Sequence, residues 1–182
     1  MMKLKSNLLI IMILTFLSGC VAVKYDPSKP LDEEQGLVLA RIMKTGHAST
    51  AQFLTKNKNK ILDNYSFVMR LEDNFFLFPM SAGTHLFDEA IYMQGSGLVK
   101  PDLECMGEFE IKAGMINYIG DLYFDISPAN NYIIFSTHGS SYKVEDNFEK
   151  TKKMAELRYK NIGDKFQFNK SVVGPSTCQK ED

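Results

Sequence analysis

Apolar positions first form one nearly unbroken run, Leu8 to Leu17, interrupted only by Thr15. A second run, Gln35 to Lys44 (QGLVLARIMK), is bounded by polar sequence and predicts a strand buried on both faces or nearly so. The stretch from His47 to Lys60 is rich in Ser, Thr, Asn and Lys and predicts a loop. From Asn64 the pattern alternates, with Tyr65, Phe67, Met69 and Leu71 on one face of a strand running to Glu72. Asn74–Met80 and Thr84–Met93 predict two more strands around a turn at Ser81-Ala82-Gly83, and Gly95-Ser96-Gly97 and Pro101 mark a loop. Glu108–Lys112 predicts a strand with Phe109 and Ile111 inward, closed by Ala113-Gly114. Ile116–Ile126 gives the clearest alternation. Ile116, Tyr118, Leu122, Phe124 and Ile126 share one predicted face with Gly120 in their register, and Asn117, Asp121 and Asp125 share the other. Glycine within such a strand predicts a bulge or a close backbone approach. Tyr132–Thr137 and Ser140–Glu145 complete the set.

The period then changes to that of a helix. Phe148, Thr151, Ala155, Tyr159 and Ile162 recur at spacings of three and four, which places them on one face. Asp146 is the predicted N-cap, Glu149 completes a box-like start, and Gly163 is the predicted stop. Phe166 and Phe168 predict a short terminal strand, and Gly174–Asp182 a loose tail. The fold expected is mainly β: an antiparallel β-sandwich-like domain of seven to nine strands over residues 32–173, with one C-terminal α-helix. Phe78-x-x-x-Ala82-Gly83 is echoed 31 residues later by Phe109-x-x-x-Ala113-Gly114. Two copies do not make a repeat architecture, and shared turn chemistry explains them best.

The first apolar run has a different meaning. Lys3 and Lys5 precede it, Ser18 and Gly19 follow, and the run is too short to span hydrocarbon as a helix. Residues 1–19 are therefore expected to be a secretory signal peptide. Leu17-Ser18-Gly19-Cys20 resembles the lipobox of bacterial lipoproteins. That resemblance implies a diacylglyceryl group on the Cys20 sulfur, cleavage before Cys20 and acylation of the new amine. Val21 stands where an Asp favours inner-membrane retention in enteric bacteria, so the resemblance points to the outer membrane, facing the periplasm. Residues 20–31, with Pro27 and Pro30, are expected to form a lipidated tether holding the domain off the bilayer. Ala82-Gly83, Ala113-Gly114 and Tyr118-Ile119-Gly120-Asp121, together with Asp146 and Glu149 opening a terminal helix, resemble a loose group of β-sandwich lipoproteins. That group carries an expectation of fold and no activity.

Composition narrows the function classes. Lys3 and Lys5 leave with the signal, so 21 basic side chains become 19 against 22 acidic, a net charge of −3. Without a basic excess, nucleic-acid binding is not expected. Beyond Cys20, Cys105 and Cys178 form a candidate disulfide in an oxidising compartment, worth roughly 4 kcal/mol at most by chain-entropy scaling. The alternative is that one or both thiols are free, and neither has the spacing of a redox or zinc motif.

Of the three histidines, His85 is followed by Asp88 and Glu89, but on a strand His85 and Asp88 face opposite sides, so no metal site is expected. His138-Gly139-Ser140-Ser141 reads as a turn, and no nucleophile elbow is present. The carboxylate pairs Glu72/Asp73, Asp88/Glu89 and Asp121/Asp125 are expected to be solvent-facing. Asp121 and Asp125 would lie about 13 Å apart along one strand. Gly95-Ser96-Gly97 lacks the Lys-Ser/Thr of a phosphate cradle. Lys56, Lys58 and Lys60 form a basic cluster, either a solvated loop or a contact for an anionic lipid or glycan. No cofactor is implied. The functional expectation is a non-enzymatic, membrane-anchored envelope protein that binds a protein or ligand. A carrier of a small apolar ligand and an envelope hydrolase stand as alternatives.

Overall fold

The computed structural model describes residues 20–21, 24–46, 50–58, 64–69, 74–94, 97–99, 107–126, 130–131, 136–137 and 140–174. Two sheets pack face to face. The outer sheet orders β1 (Cys20–Val21), β4 (Asn64–Met69), β3 (Thr50–Asn57), β6 (Gly83–Gln94) and β7 (Gly97–Val99), with β8 (Glu108–Ile111) also paired to β6. The central sheet orders β12 (Ser140–Glu145), β9 (Met115–Ile126), β2 (Gln35–Gly46) and β5 (Phe75–Ser81), with β13 (Gln167–Lys170) also paired to β9. A small hairpin, β10 (Asn130–Asn131) and β11 (Ser136–Thr137), lies between β9 and β12 in sequence. Helix α1 (Phe148–Arg158) and the single turn α2 (Ile162–Lys165) follow. The mainly β sandwich with a C-terminal helical region is thus the fold.

The central sheet is mixed rather than antiparallel. β2 and β13 both run parallel to β9. Parallel strands occur where both faces are covered, and β2 meets that condition: Leu37, Val38, Leu39, Ala40 and Ile42 are all buried. Val38, Ala40 and Ile42 join Phe53, Phe78, Met80, Phe87, Phe109, Ile111, Ile119, Leu122 and Phe124 in the core between the sheets. Leu37 and Leu39 join Phe75, Leu77, Ile116, Tyr118, Ala155 and Ile162 in a second core beneath the helix. The continuous apolar run of β2 thus serves two cores at once.

Two of the places where the chain passes between sheets are the two copies of the Ala-Gly echo. Ala82-Gly83 leads from β5 to β6, and Ala113-Gly114 leads from β8 to β9. Both glycines have positive φ. The Ala82 and Gly114 N–H groups donate to the Glu34 and Gln35 carbonyls, so both corners clamp the start of β2.

Several expectations need correction. Residues 50–57 form a strand, not a loop: its inward positions, Phe53, Thr55 and Asn57, are buried, but two of the three are polar and hid the alternation. In β9 the register against β2 slips, with Leu39 opposite Tyr118 and Ala40 opposite Gly120. The bulge inverts the phase, so Ile116 and Tyr118 face the helix while Leu122 and Phe124 face the other sheet. Gly120 sits at φ +121°, where a Cβ would lie 2.7 Å from Val144 Cγ1.

Helix α1 ends at Arg158, and the left-handed residue is Asn161 rather than Gly163, which lies inside α2. Asn147 is the N-cap residue, although the Asp146 carboxylate accepts the Phe148 N–H at 3.3 Å. Within residues 20–31, expected to be a tether, Tyr25 and Leu31 pack on the second core, while residues 24 and 26–30 are exposed. Tyr25 is buried against Tyr159 and Phe166, its N–H donates to the Leu77 carbonyl at 2.8 Å, and Leu31 packs on the second core. An aromatic residue in a proline-punctuated segment has apolar area to bury, and the second core offers the place.

Candidate functional site

The bulge in β9 has a direct chemical consequence. It turns Asp121 to the same side as Tyr118, under the first turn of α1, where it is fully buried rather than solvent-facing. Arg41, its neighbour across the parallel β2–β9 pair, donates from Nη1 to Asp121 Oδ2 at 3.0 Å, with only 11% of the Arg41 side chain exposed. Thr151 Oγ1 donates to Asp121 Oδ1 at 2.9 Å. The Tyr118 hydroxyl accepts the Asn147 N–H at 2.9 Å and lies 3.2 Å from both Asp121 Oδ1 and the Glu145 carbonyl oxygen. Arg41 Nη2 reaches the Met43 sulfur at 3.4 Å, and Arg41 Nε is buried without a partner.

Charge continues outward from this centre. Glu145 is held below the usual carboxylate range by hydrogen bonds from Lys143 and Asn147. Burial and the Glu145 charge push the Tyr123 hydroxyl above its ordinary value. Burial raises Tyr118 more strongly, against the lowering effect of the Asn147 N–H. The carboxylate of Asp121 is taken up by an arginine and a hydroxyl, so it acts as a fixed anion that pins α1 to the central sheet. Sequence reasoning missed this set because its members, Arg41, Tyr118, Asp121 and Thr151, come from three elements. The signal that was present is Gly120, which marks the bulge that reorients Asp121.

A second buried polar group lies at the first corner. His85 Nε2 is 2.9 Å from the Ser81 carbonyl oxygen and 3.5 Å from Asn57 Nδ2, and Asn57 Nδ2 donates to Ser81 Oγ at 3.1 Å. The His85 ring stacks on Phe109 at 5.7 Å. As expected from the strand, His85 and Asp88 face opposite sides: His85 is buried, and Asp88 is exposed and paired with Lys56. Lys58 pairs with Glu108. Both acids neutralise the cluster that Lys56 and Lys58 began in sequence, and Lys56 lies on β3 rather than in a loop.

Between the sheets aromatic rings pack on one another: Phe53 stands 4.7 Å from Phe124 and 6.1 Å from Phe87. A groove of about 410 Å³ lies outside both cores, lined by Asp146, Asn147, Phe148, Glu149, Lys150 and Lys170. Among the described residues no group of three or more His, Cys, Asp or Glu side chains is placed to hold a metal ion. No helix among them is long and apolar enough to cross a membrane. Cys105, Cys178, His47, His138 and the lipobox residues Leu17–Gly19 lie outside the described residues, as do the side chains of Cys20 and Asp125. The Cys20 backbone pairs with Tyr65 on β4. The chain matches no protein-family model, no curated protein and no solved structure.

Proposed function

We propose that this chain is a bacterial envelope lipoprotein, cut before Cys20 and acylated there, whose β-rich body binds a protein or ligand in the periplasm without catalysing a reaction. The observation that carries the reading is Leu17-Ser18-Gly19-Cys20 directly behind a basic start and an apolar run. Two or more acyl chains give stable anchoring where one gives only marginal binding. The outer membrane, facing the periplasm, is the site that Val21 favours.

Labelled palmitate should enter the wild-type chain and not Cys20→Ser, which should accumulate as uncut precursor or leave the membrane fraction. A mature chain with an unmodified thiol at Cys20 would refute the anchor. The binding role is tested by crosslinking in intact envelopes, with recovery of a specific partner expected. Packing of Phe53 on Phe87 and Phe124 weighs against the apolar-carrier alternative at that part of the core, where the rings contact one another.

A further inference from the structure

We infer that the surface around Tyr25, Tyr159 and Phe166 lies on anionic phospholipid, so that the body rests on the bilayer its acyl chains enter. The inference depends on acylation at Cys20. Its first support is reach. Tyr25 is bonded to Leu77 on β5, the last strand in the order of the central sheet, and Cys20 pairs on β4 at one end of the outer sheet. Four residues lie between Cys20 and Tyr25, so the two are at most about 18 Å apart along a fully extended chain. A lipid on Cys20 therefore cannot hold the Tyr25 surface far from the headgroups. Docking of residues 24–31 removes the slack that a free tether would supply.

The second support is the chemistry of that surface. Tyr25 lies 6.2 Å from Tyr159 and meets Phe166 edge-on at 6.0 Å, which brings the ends of α1 and α2 together beside the docked segment. Lys24, Lys29, Arg158, Lys160 and Lys165 are exposed next to these rings in sequence or space. Lys165 Nζ reaches the Pro27 carbonyl at 3.4 Å, and the Arg158 guanidinium lies 5.4 Å from the Phe75 ring centroid. The interspersed acids are Asp26, Glu156 and Asp164, and the Asp26 carboxylate accepts two hydrogen bonds from Ser28. Around these rings the five cations outnumber the three acids, in contrast to the net negative mature chain, and the next acids, Asp32, Glu33 and Glu34, follow the docked segment. Cations near an anionic leaflet are each attracted to it. A patch this small adsorbs weakly by itself, but the anchor holds it at high effective concentration beside the headgroups.

The test uses full-length acylated protein reconstituted into phosphatidylcholine vesicles with or without phosphatidylglycerol. Lysines are acetylated briefly with a membrane-impermeant reagent and read by peptide mass spectrometry. Lys29, Lys160 and Lys165 should react at least about threefold more slowly on the anionic vesicles, and high salt should restore their rates. Lys56 and Lys58 should not change. The variant Lys29→Glu/Lys160→Glu should restore the rate at Lys165. The N-terminal peptide of the same digest reports acylation. An acylated protein with equal rates on both vesicle types overturns the membrane-facing surface and leaves the anchor standing, whereas a bare Cys20 thiol overturns both.

Discussion

Two buried polar groups among the described residues are built on opposite terms. Under α1, Arg41 and Asp121 form an ion pair closed by Thr151 and flanked by Tyr118, drawing on residues from β2, β9 and the helix. At the first corner, His85, Asn57 and Ser81 are held by hydrogen bonds within and between neighbouring strands of the sandwich. The first group joins layers that no backbone ladder connects. The second trims a turn whose geometry the strand pairing already sets. A buried charge must be matched or its desolvation goes uncompensated, whereas a neutral group loses only its hydrogen bonds. The difference implies that the ion pair controls docking of the helix and the corner group controls local fit.

The largest expected effect is therefore at Asp121. Asp121→Ala leaves Arg41 buried with no carboxylate and should cost about 3–5 kcal/mol in urea unfolding. His85→Leu, which removes the ring nitrogen 2.9 Å from the Ser81 carbonyl oxygen, should cost about 1–3 kcal/mol. Equal losses would show that charge does not distinguish the two groups. Gly120→Ala tests the bulge that delivers Asp121. The added Cβ meets Val144 Cγ1 at 2.7 Å with φ at +121°, and the thermal midpoint should report a loss of about 2–3 kcal/mol.

Tyr118→Phe separates the hydroxyl from the ring. The Asn147 N–H loses its acceptor, which should cost about 1–2 kcal/mol at neutral pH. The pH dependence sharpens the test. Burial raises the folded pKa of Tyr118 above its value in the unfolded chain, so above pH of about 10 the unfolded chain releases the proton while the folded one keeps it. Stability then falls as pH rises through that range, and Tyr118→Phe should flatten the fall. A variant with an unchanged alkaline slope would remove Tyr118 from the account.

Much of the sandwich was legible because its strands state their faces plainly. Phe109 and Ile111 alternate with exposed glutamates, and the apolar run of β2 announced burial on both sides. Thirteen strands are described against the seven to nine expected, and nine of them are four residues or longer. What escaped was of two kinds. β3 buries Thr55 and Asn57, so a period based on apolar residues passes over it. The bulge at Gly120 was foreseen as a local feature, but its effect is to exchange faces for everything beyond it, and sequence alternation carried forward across it gives Asp121 to solvent. The parallel β2–β9 pair was equally hidden, since pairing of strands about 80 residues apart leaves no local mark.

The smallest effect is expected where the charges are most conspicuous in sequence. Lys58 and Glu108 form an ion pair with both side chains about half exposed, joining β8 to the residue that follows β3. Solvent screens such a pair, and ordering two long side chains offsets much of its attraction, so Lys58→Ala should cost less than about 1 kcal/mol. A double-mutant cycle with Glu108→Ala isolates the coupling, which should shrink further as salt is raised. The same cycle on Arg41 and Thr151, both bonded to Asp121, should give a coupling that salt hardly moves, because ions do not reach a carboxylate with no exposed area. If the Lys58–Glu108 coupling proved the larger and the more salt-resistant of the two, the distinction between a layer-joining buried charge and a screened surface charge would fail for this protein.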